Sequence, residues 1–225
     1  MTPAIPLAAI LAGGKSRRMG RDKAPMEFLG VPLIERVWRV ATAVAQKVIV
    51  VGGAGYLADK GVPTVPDRFP GASALGGVAT ALGWAREELG PGTWVLCLAC
   101  DLPLVRPELL SLLWDLRDEA QVVVPRVEAG YEPLVALYRE DGLGVLEEQI
   151  RGGDLSILRA FPRLRTVEVG EEVLRRADPE LRSFLNLNRP EDVEKALRLA
   201  TRIGGAGASG PGTSPPGGAS RQSAG

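Results

Sequence analysis

The chain contains no histidine. That absence removes Ser-His-Asp and Cys-His nucleophile systems, histidine-held metals, and the side chain that most often moves protons near neutrality. Chemistry here must rest on Lys, Arg, Asp, Glu or a metal held by oxygen. Cysteine is almost as scarce, with Cys97 and Cys100 alone in 225 residues, too few for a disulfide framework. Their C-x-x-C spacing falls in an apolar run, where residues three apart point to opposite faces of a strand. Two buried structural cysteines are therefore expected rather than a redox or zinc pair. Net charge is lacking too, because 27 basic residues cancel 27 acidic ones. No global field recruits nucleic acid or an anionic membrane, so any polyanion has to be gripped locally. No apolar run approaches the roughly 18 residues of a spanning helix, and no secretory signal pattern opens the chain. A cytoplasmic protein without membrane or nucleic-acid partners is expected.

What is present is a 45% apolar, 24% charged chain of a length suited to one large domain. From residue 204 to 225 the composition changes to Gly, Pro, Ala and Ser with Arg221 as the one charge. Such a segment cannot bury enough surface to offset ordering, so a disordered tail (204–225) is expected to follow a domain spanning residues 1–203.

Within that domain apolar strand-like runs alternate with helix-period segments. Strands are expected at Ile5–Leu11, 47–51, 62–65, Trp94–Ala99, 121–125, 133–138 and 165–169. Helices are expected at 32–45, 76–89, 107–119, 142–150, 155–161 and 190–202. The alternation predicts an α/β fold: an open, mostly parallel Rossmann-like sheet with helices on both faces. Ligands of such sheets sit beyond the carboxyl ends of the strands, near the topological switch point.

The first strand is followed by L-A-G-G-K-S-R-R-M-G-R-D-K, residues 11–23, with cations at Lys15, Arg17, Arg18, Arg21 and Lys23. Glycines let backbone N–H groups approach an anion, and Arg and Lys add charge-assisted bonds, so a phosphate-rich ligand is the natural guest. The spacing is neither that of a P-loop nor of G-x-G-x-x-G. Asp101 directly follows the apolar strand Trp94–Ala99 and Cys100, at the sheet edge, where one carboxylate plus ligand phosphates suits magnesium. Asn186 and Asn188 are the only asparagines in the chain and stand two residues apart before Pro190.

The run from Leu11 to Lys23 resembles the signature loop of the molybdenum cofactor guanylyltransferases, within the wider nucleotidyltransferases. Matching pieces follow in order: Asp67, Leu75-Gly76-Gly77, Cys100-Asp101 with Pro103, Glu132-Pro133-Leu134, and Asn186-Leu187-Asn188-Arg189-Pro190-Glu191-Asp192. Gly13 favours the guanylyl over the cytidylyl branch, which usually reads L-A-A-G. The family often carries Asn after the second strand, where this chain has Gly52-Gly53. The resemblance implies transfer of GMP from GTP to the terminal phosphate of molybdopterin or Mo-molybdopterin, with release of pyrophosphate. It implies that Gly13 and Gly14 cradle the triphosphate, that Arg18 and Lys23 neutralise charge at the reacting phosphoryl group, and that Asp101 holds Mg²⁺. Leu11 and Ala12 would border the guanine, Asp67 would contact sugar or base, and Asn186 and Asn188 would face the acceptor, with Glu132 a further candidate. Transient contacts with other molybdenum cofactor proteins would follow. A cytidylyl or sugar-phosphate nucleotidyltransferase, or a non-catalytic nucleotide-binding module, are the alternative readings.

Overall fold

The computed structural model describes residues 4–13 and 23–205. Five strands begin the chain: β1 (Ile5–Leu11), the short pair β2 (Glu27–Phe28) and β3 (Val31–Pro32), then β4 (Ala45–Val51) after helix α1 (Leu33–Val44), and β5 (Thr64–Val65). Helix α2 (Ser73–Leu89), β6 (Trp94–Ala99) and α3 (Pro107–Asp115) follow, then β7 (Val122–Val127), β8 (Gly130–Tyr131) and β9 (Val135–Arg139). The last elements are α4 (Leu143–Arg151), β10 (Thr166–Gly170), the single turn α5 (Glu171–Leu174) and α6 (Pro190–Gly205).

The main sheet runs β10-β7-β9-β6-β1-β4-β5, with β8 added to β7 and β2-β3 forming a separate ribbon. β1 pairs in parallel with both β4 and β6, while β9 is antiparallel to β6 and to β7. The sheet is thus mostly parallel and Rossmann-like, with an antiparallel insert. Strand order reverses at β1. The chain leaves β1 toward β4 and β5 and then crosses back to β6 on the other flank. The crevice between the carboxyl ends of β1 and β6 is the switch point, where such folds bind ligands.

Alternation along β1 explains why helices cover both faces. Ala8 and Ile10 pack with Ile34, Val37 and Ala41 of α1 and with Leu109, Leu110 and Leu113 of α3. Leu7, Ala9 and Leu11 face Leu75, Val78 and Leu82 of α2 and Leu143 and Leu146 of α4. Each buried Leu, Ile or Val contributes about 1.5–3 kcal/mol, so these two layers dominate stability. Cys97 belongs to the second layer and Cys100 packs against the first, as residues three apart on a strand must. Cys97 is fully buried and Cys100 only half-buried, and no disulfide joins them.

Several expected boundaries move for local reasons. The segment expected as a helix at 155–161 is two short 3₁₀ turns, Ile157–Arg159 and Phe161–Arg163, because Pro162 has no N–H to continue an α-helix. Helix α3 ends at Asp115 rather than 119: the Trp114 carbonyl accepts a 2.6 Å bond from Arg117, whose guanidinium lies over the Trp114 ring. Helix α2 begins at Ser73, so Gly76 and Gly77 sit inside its first turns rather than ahead of them. A Cβ on Gly77 would lie 3.1 Å from Leu11 Cδ1, and one on Gly76 would lie 2.8 Å from the Phe69 carbonyl. Gly77 thus lets α2 press against the end of β1, and Gly76 lets the Phe69–Ala72 turn fold against the start of the helix. The closing helix α6 runs to Gly205, slightly beyond the expected end of the domain.

Candidate active site

Three residues that are far apart in sequence meet at the switch point. Lys23 Nζ donates to Asp101 Oδ2 at 2.8 Å and to Asn188 Oδ1 at 2.5 Å. The Lys23 and Asp101 side chains are each 13% exposed, so this ion pair is sheltered yet still reachable.

Each member is placed by its own stretch of chain. Lys23 opens a turn in which the Met26 N–H donates to the Lys23 carbonyl, and the Ile34 N–H donates to the carbonyl of fully buried Ala24. That ties the residue to the start of α1. Asp101 lies two residues beyond β6, in a loop whose Leu102, Leu104 and Val105 are buried. Asn188 is carried by a segment pinned through Leu187, which is 2% exposed and packs with Phe28, Leu33, Leu104 and Ala196. The Leu187 N–H donates to the Asp101 carbonyl at 3.2 Å. Alternation around this buried leucine leaves Asn186 half-buried and Asn188 exposed. Asp192 then accepts the N–H groups of Asn188 at 2.9 Å and Arg189 at 2.8 Å, capping α6 and fixing the asparagine backbone.

The remaining expected residues take different places. Leu11 and Ala12 end β1, with the Ala12 N–H donating to the Val51 carbonyl, and Gly13 follows them at the surface. Gly14 and Arg18 lie outside the described residues. Asp67 Oδ1 accepts from the Phe69 N–H at 2.9 Å and the Thr80 hydroxyl at 3.1 Å, so it organises the loop that leads into α2. Asn186 Nδ2 donates to the Phe184 carbonyl at 3.4 Å. Glu132 lines a cavity of about 540 Å³ whose wall includes Leu181, Phe184, Leu185 and Lys195. Burial pushes its carboxyl pKa up to about 7.

Two contributors carry little signal in the sequence. Gly52 has φ +72°, and a Cβ there would lie 2.8 Å from Gly13 Cα. The loop after β4 therefore lies directly against the loop after β1, and glycine is the residue that permits it. The pairing Leu11↔Val51 is what brings Gly13 and Gly52 side by side. Asp192 is the second: it closes the motif that begins at Asn186, but its grip on the Asn188 and Arg189 N–H groups is visible only in the fold.

As a metal site, the donor set is sparse. Among the described residues no three acidic or thiol side chains converge as a cage. One carboxylate completed by ligand phosphates suits magnesium, which keeps waters and seldom uses an all-protein cage. Asp101 fits that pattern. The lysine beside it places a positive charge 2.8 Å from that carboxylate. Among the described residues no helix is long and apolar enough to cross a membrane.

Comparison with known proteins agrees with this fold. A family model for the MobA-like NTP transferase domain matches residues 8–169. A probable molybdenum cofactor guanylyltransferase of Pelotomaculum thermopropionicum is 36% identical over 193 residues, covering 85% of this chain and 91% of that protein. A molybdenum cofactor guanylyltransferase of Desulfosudis oleivorans is 32% identical, covering 83% and 92%. The crystal structure of molybdopterin-guanine dinucleotide biosynthesis protein A from Archaeoglobus fulgidus superimposes with a TM-score of 0.73 at 29% identity, covering 87% of this chain and 99% of that one. With its sheet and most of its length accounted for in this way, the chain belongs to the MobA-like NTP transferase family and is a nucleotidyltransferase.

Proposed function

We propose that the protein transfers the GMP unit of GTP to the terminal phosphate of molybdopterin, or of its molybdenum-loaded form, and releases pyrophosphate. The cluster of Lys23, Asp101 and Asn188 at the switch point is the observation that carries this reading. The names of its relatives support guanylyl transfer in particular.

The reaction asks little of acid or base groups. A phosphate monoester is ionised at neutral pH, so one of its oxygens attacks the α-phosphorus while the bond to the bridging oxygen of pyrophosphate breaks. Alignment and charge neutralisation are the main requirements, and a protein without histidine can meet them. Lys23, with Arg18 from the same loop, offsets charge on the α-phosphoryl group and the departing pyrophosphate. Backbone groups at Gly13 and Gly14 receive the triphosphate, and Leu11 and Ala12 border the base. Asp67 holds the sugar-side loop through the Phe69 N–H and Thr80.

Asp101 would hold Mg²⁺, which would supply positive charge to offset that of the phosphates. Asn188, tied to Lys23, links the nucleotide side to the acceptor side. The acceptor is assigned to the space beside Asn186 and Asn188, continuing toward the cavity lined by Leu185 and Glu132.

The test is pyrophosphate release with molybdopterin as acceptor, comparing GTP, CTP, ATP and UTP in the presence of Mg²⁺, for the wild type and Asp101→Ala. Release with GTP alone, lost in the variant, is expected. Preference for CTP would move the specificity to the cytidylyl branch, and no turnover with any nucleotide would overturn the reading.

A further inference from the structure

Away from Lys23, four arginines from three parts of the chain line one open cavity of about 410 Å³: Arg36 and Arg39 on α1, Arg106 before α3, and Arg182 in the segment leading to the asparagines. Pro103 and Glu108 share its wall. The volume lies within the range of small-ligand sites.

The arginines are incompletely neutralised. Arg39 reaches Glu35 at 2.7 Å but is 59% exposed, and Arg106 Nε reaches Glu108 at 3.1 Å. Arg182 Nε stays 3.9 Å from Asp178 Oδ1, beyond hydrogen-bond distance, and that buried oxygen has no hydrogen-bond partner among the described residues. Arg36 donates to the carbonyls of Pro103 at 3.2 Å and Phe28 at 3.4 Å and stacks over the Phe28 ring, with no ion pair to a carboxylate among the described residues. Burial, and then the charge of Arg39, lower the Arg36 pKa. Cations crowded in this way are relieved by an incoming anion.

One carboxylate already behaves like that anion. Glu108 stands in the first turn of α3, where the helix dipole favours negative charge. Although partial burial opposes it, its own backbone N–H, Arg106 and Arg182 hold the Glu108 carboxyl below its ordinary value. With its side chain 56% exposed, Glu108 can swing into water at small cost.

We propose that this cavity is a second anion site, distinct from the Lys23–Asp101 cluster, that binds a small phosphorylated anion between Arg36, Arg39, Arg106 and Arg182 as Glu108 withdraws. Its walls are continuous with the active site. Arg36 holds the carbonyl of Pro103, two residues after Asp101, and the Arg106 N–H donates to Ser183, on the segment that carries Asn186 and Asn188.

Calorimetric titration of the full-length protein without Mg²⁺ tests this, using inorganic pyrophosphate and GMP as probes. In a Lys23→Ala background, which weakens the nucleotide site, binding of at least one probe is expected to persist and to weaken as salt is added. The Arg39→Ala/Arg106→Ala pair should weaken it by about tenfold or more, as loss of two charge-assisted contacts requires. Glu108→Gln should tighten it, a change of opposite sign that misfolding would not produce. A response to GMP identifies the source as a nucleotide, and a response to pyrophosphate alone identifies it as the inorganic anion. No binding of either probe in the Lys23→Ala protein, or binding unchanged by the arginine pair, overturns the proposal.

Discussion

Lys23 and Asp101, 78 residues apart in the chain, form a 2.8 Å ion pair in the crevice where the strand order reverses. One follows the glycine loop of β1 and the other follows β6, so the pair spans the switch point. Replacing Asp101 by Asn keeps the shape and a hydrogen-bonding oxygen while removing the charge. Turnover is expected to fall about 10²- to 10³-fold, the usual effect of losing one electrostatic contact to a transition state. Urea unfolding should shift by no more than about 2 kcal/mol, because Lys23 keeps its bond to Asn188. A variant with full pyrophosphate release would remove Asp101 from the chemistry.

Gly52→Ala places a side chain at φ +72° and 2.8 Å from Gly13 Cα, against the Ala12–Gly13 backbone rather than a flexible side chain. About 1–3 kcal/mol of destabilisation is expected. Because the strain falls on Gly13, which the proposed function gives to the triphosphate, nucleotide affinity should drop as well. Thermal melting together with GTP titration measures both, and unchanged affinity would show that the two loops are not mechanically joined.

Glu132 gives a pH signature of definite sign. Its carboxyl keeps its proton in the folded protein up to about pH 7, against an ordinary value of 4.5. Between those values the folded state binds more protons than the unfolded chain. The contribution of this group is therefore fully present below about pH 4.5 and is lost as pH rises through 7. Glu132→Gln should flatten that part of the stability curve, seen as a smaller difference between urea midpoints at pH 5 and pH 8. An unchanged curve would place the titration elsewhere.

Glu140, 2% exposed, accepts from Arg86 Nε on α2 and from the Gly92 N–H at 3.0 Å. Glu140→Ala leaves that N–H without its acceptor, whereas Arg86, half-exposed, can turn its charge to water. The expected loss is about 1–3 kcal/mol, below the 3–5 kcal/mol of a wholly buried pair. Activity per folded molecule should not change.

The sheet was largely legible because β1 and β6 are almost wholly buried and read as uninterrupted apolar runs, the mark of parallel strands covered on both faces. Asp101 stood out by its place just after the apolar strand β6, whereas Lys23 and Asn188 stood out through the motifs they share with the family, and only the fold shows that the three side chains meet. The 3₁₀ turns around Pro162 were not, since Leu155, Leu158 and Phe161 imitate helical spacing and only the proline betrays them. Gly52 was read as a departure from the family pattern, and its necessity depends on a contact with Gly13 that no local spacing reveals. The arginine cavity was invisible for the same reason, its members being indistinguishable in sequence from ordinary surface charges. Of the phosphate loop itself, residues 14–22 lie outside the described structure.

Leu187 has a consequence for engineering. A buried leucine between two asparagines works as a peg: the fold grips position 187, while positions 186 and 188 are held in place without being part of the packing that grips them. On the proposed reading, position 186 can be varied against new acceptors while the peg stays fixed, whereas position 188 cannot be exchanged without releasing Lys23, from whose Nζ it accepts a hydrogen bond, so the protein offers a one-letter address beside a reaction centre that the same peg holds in register.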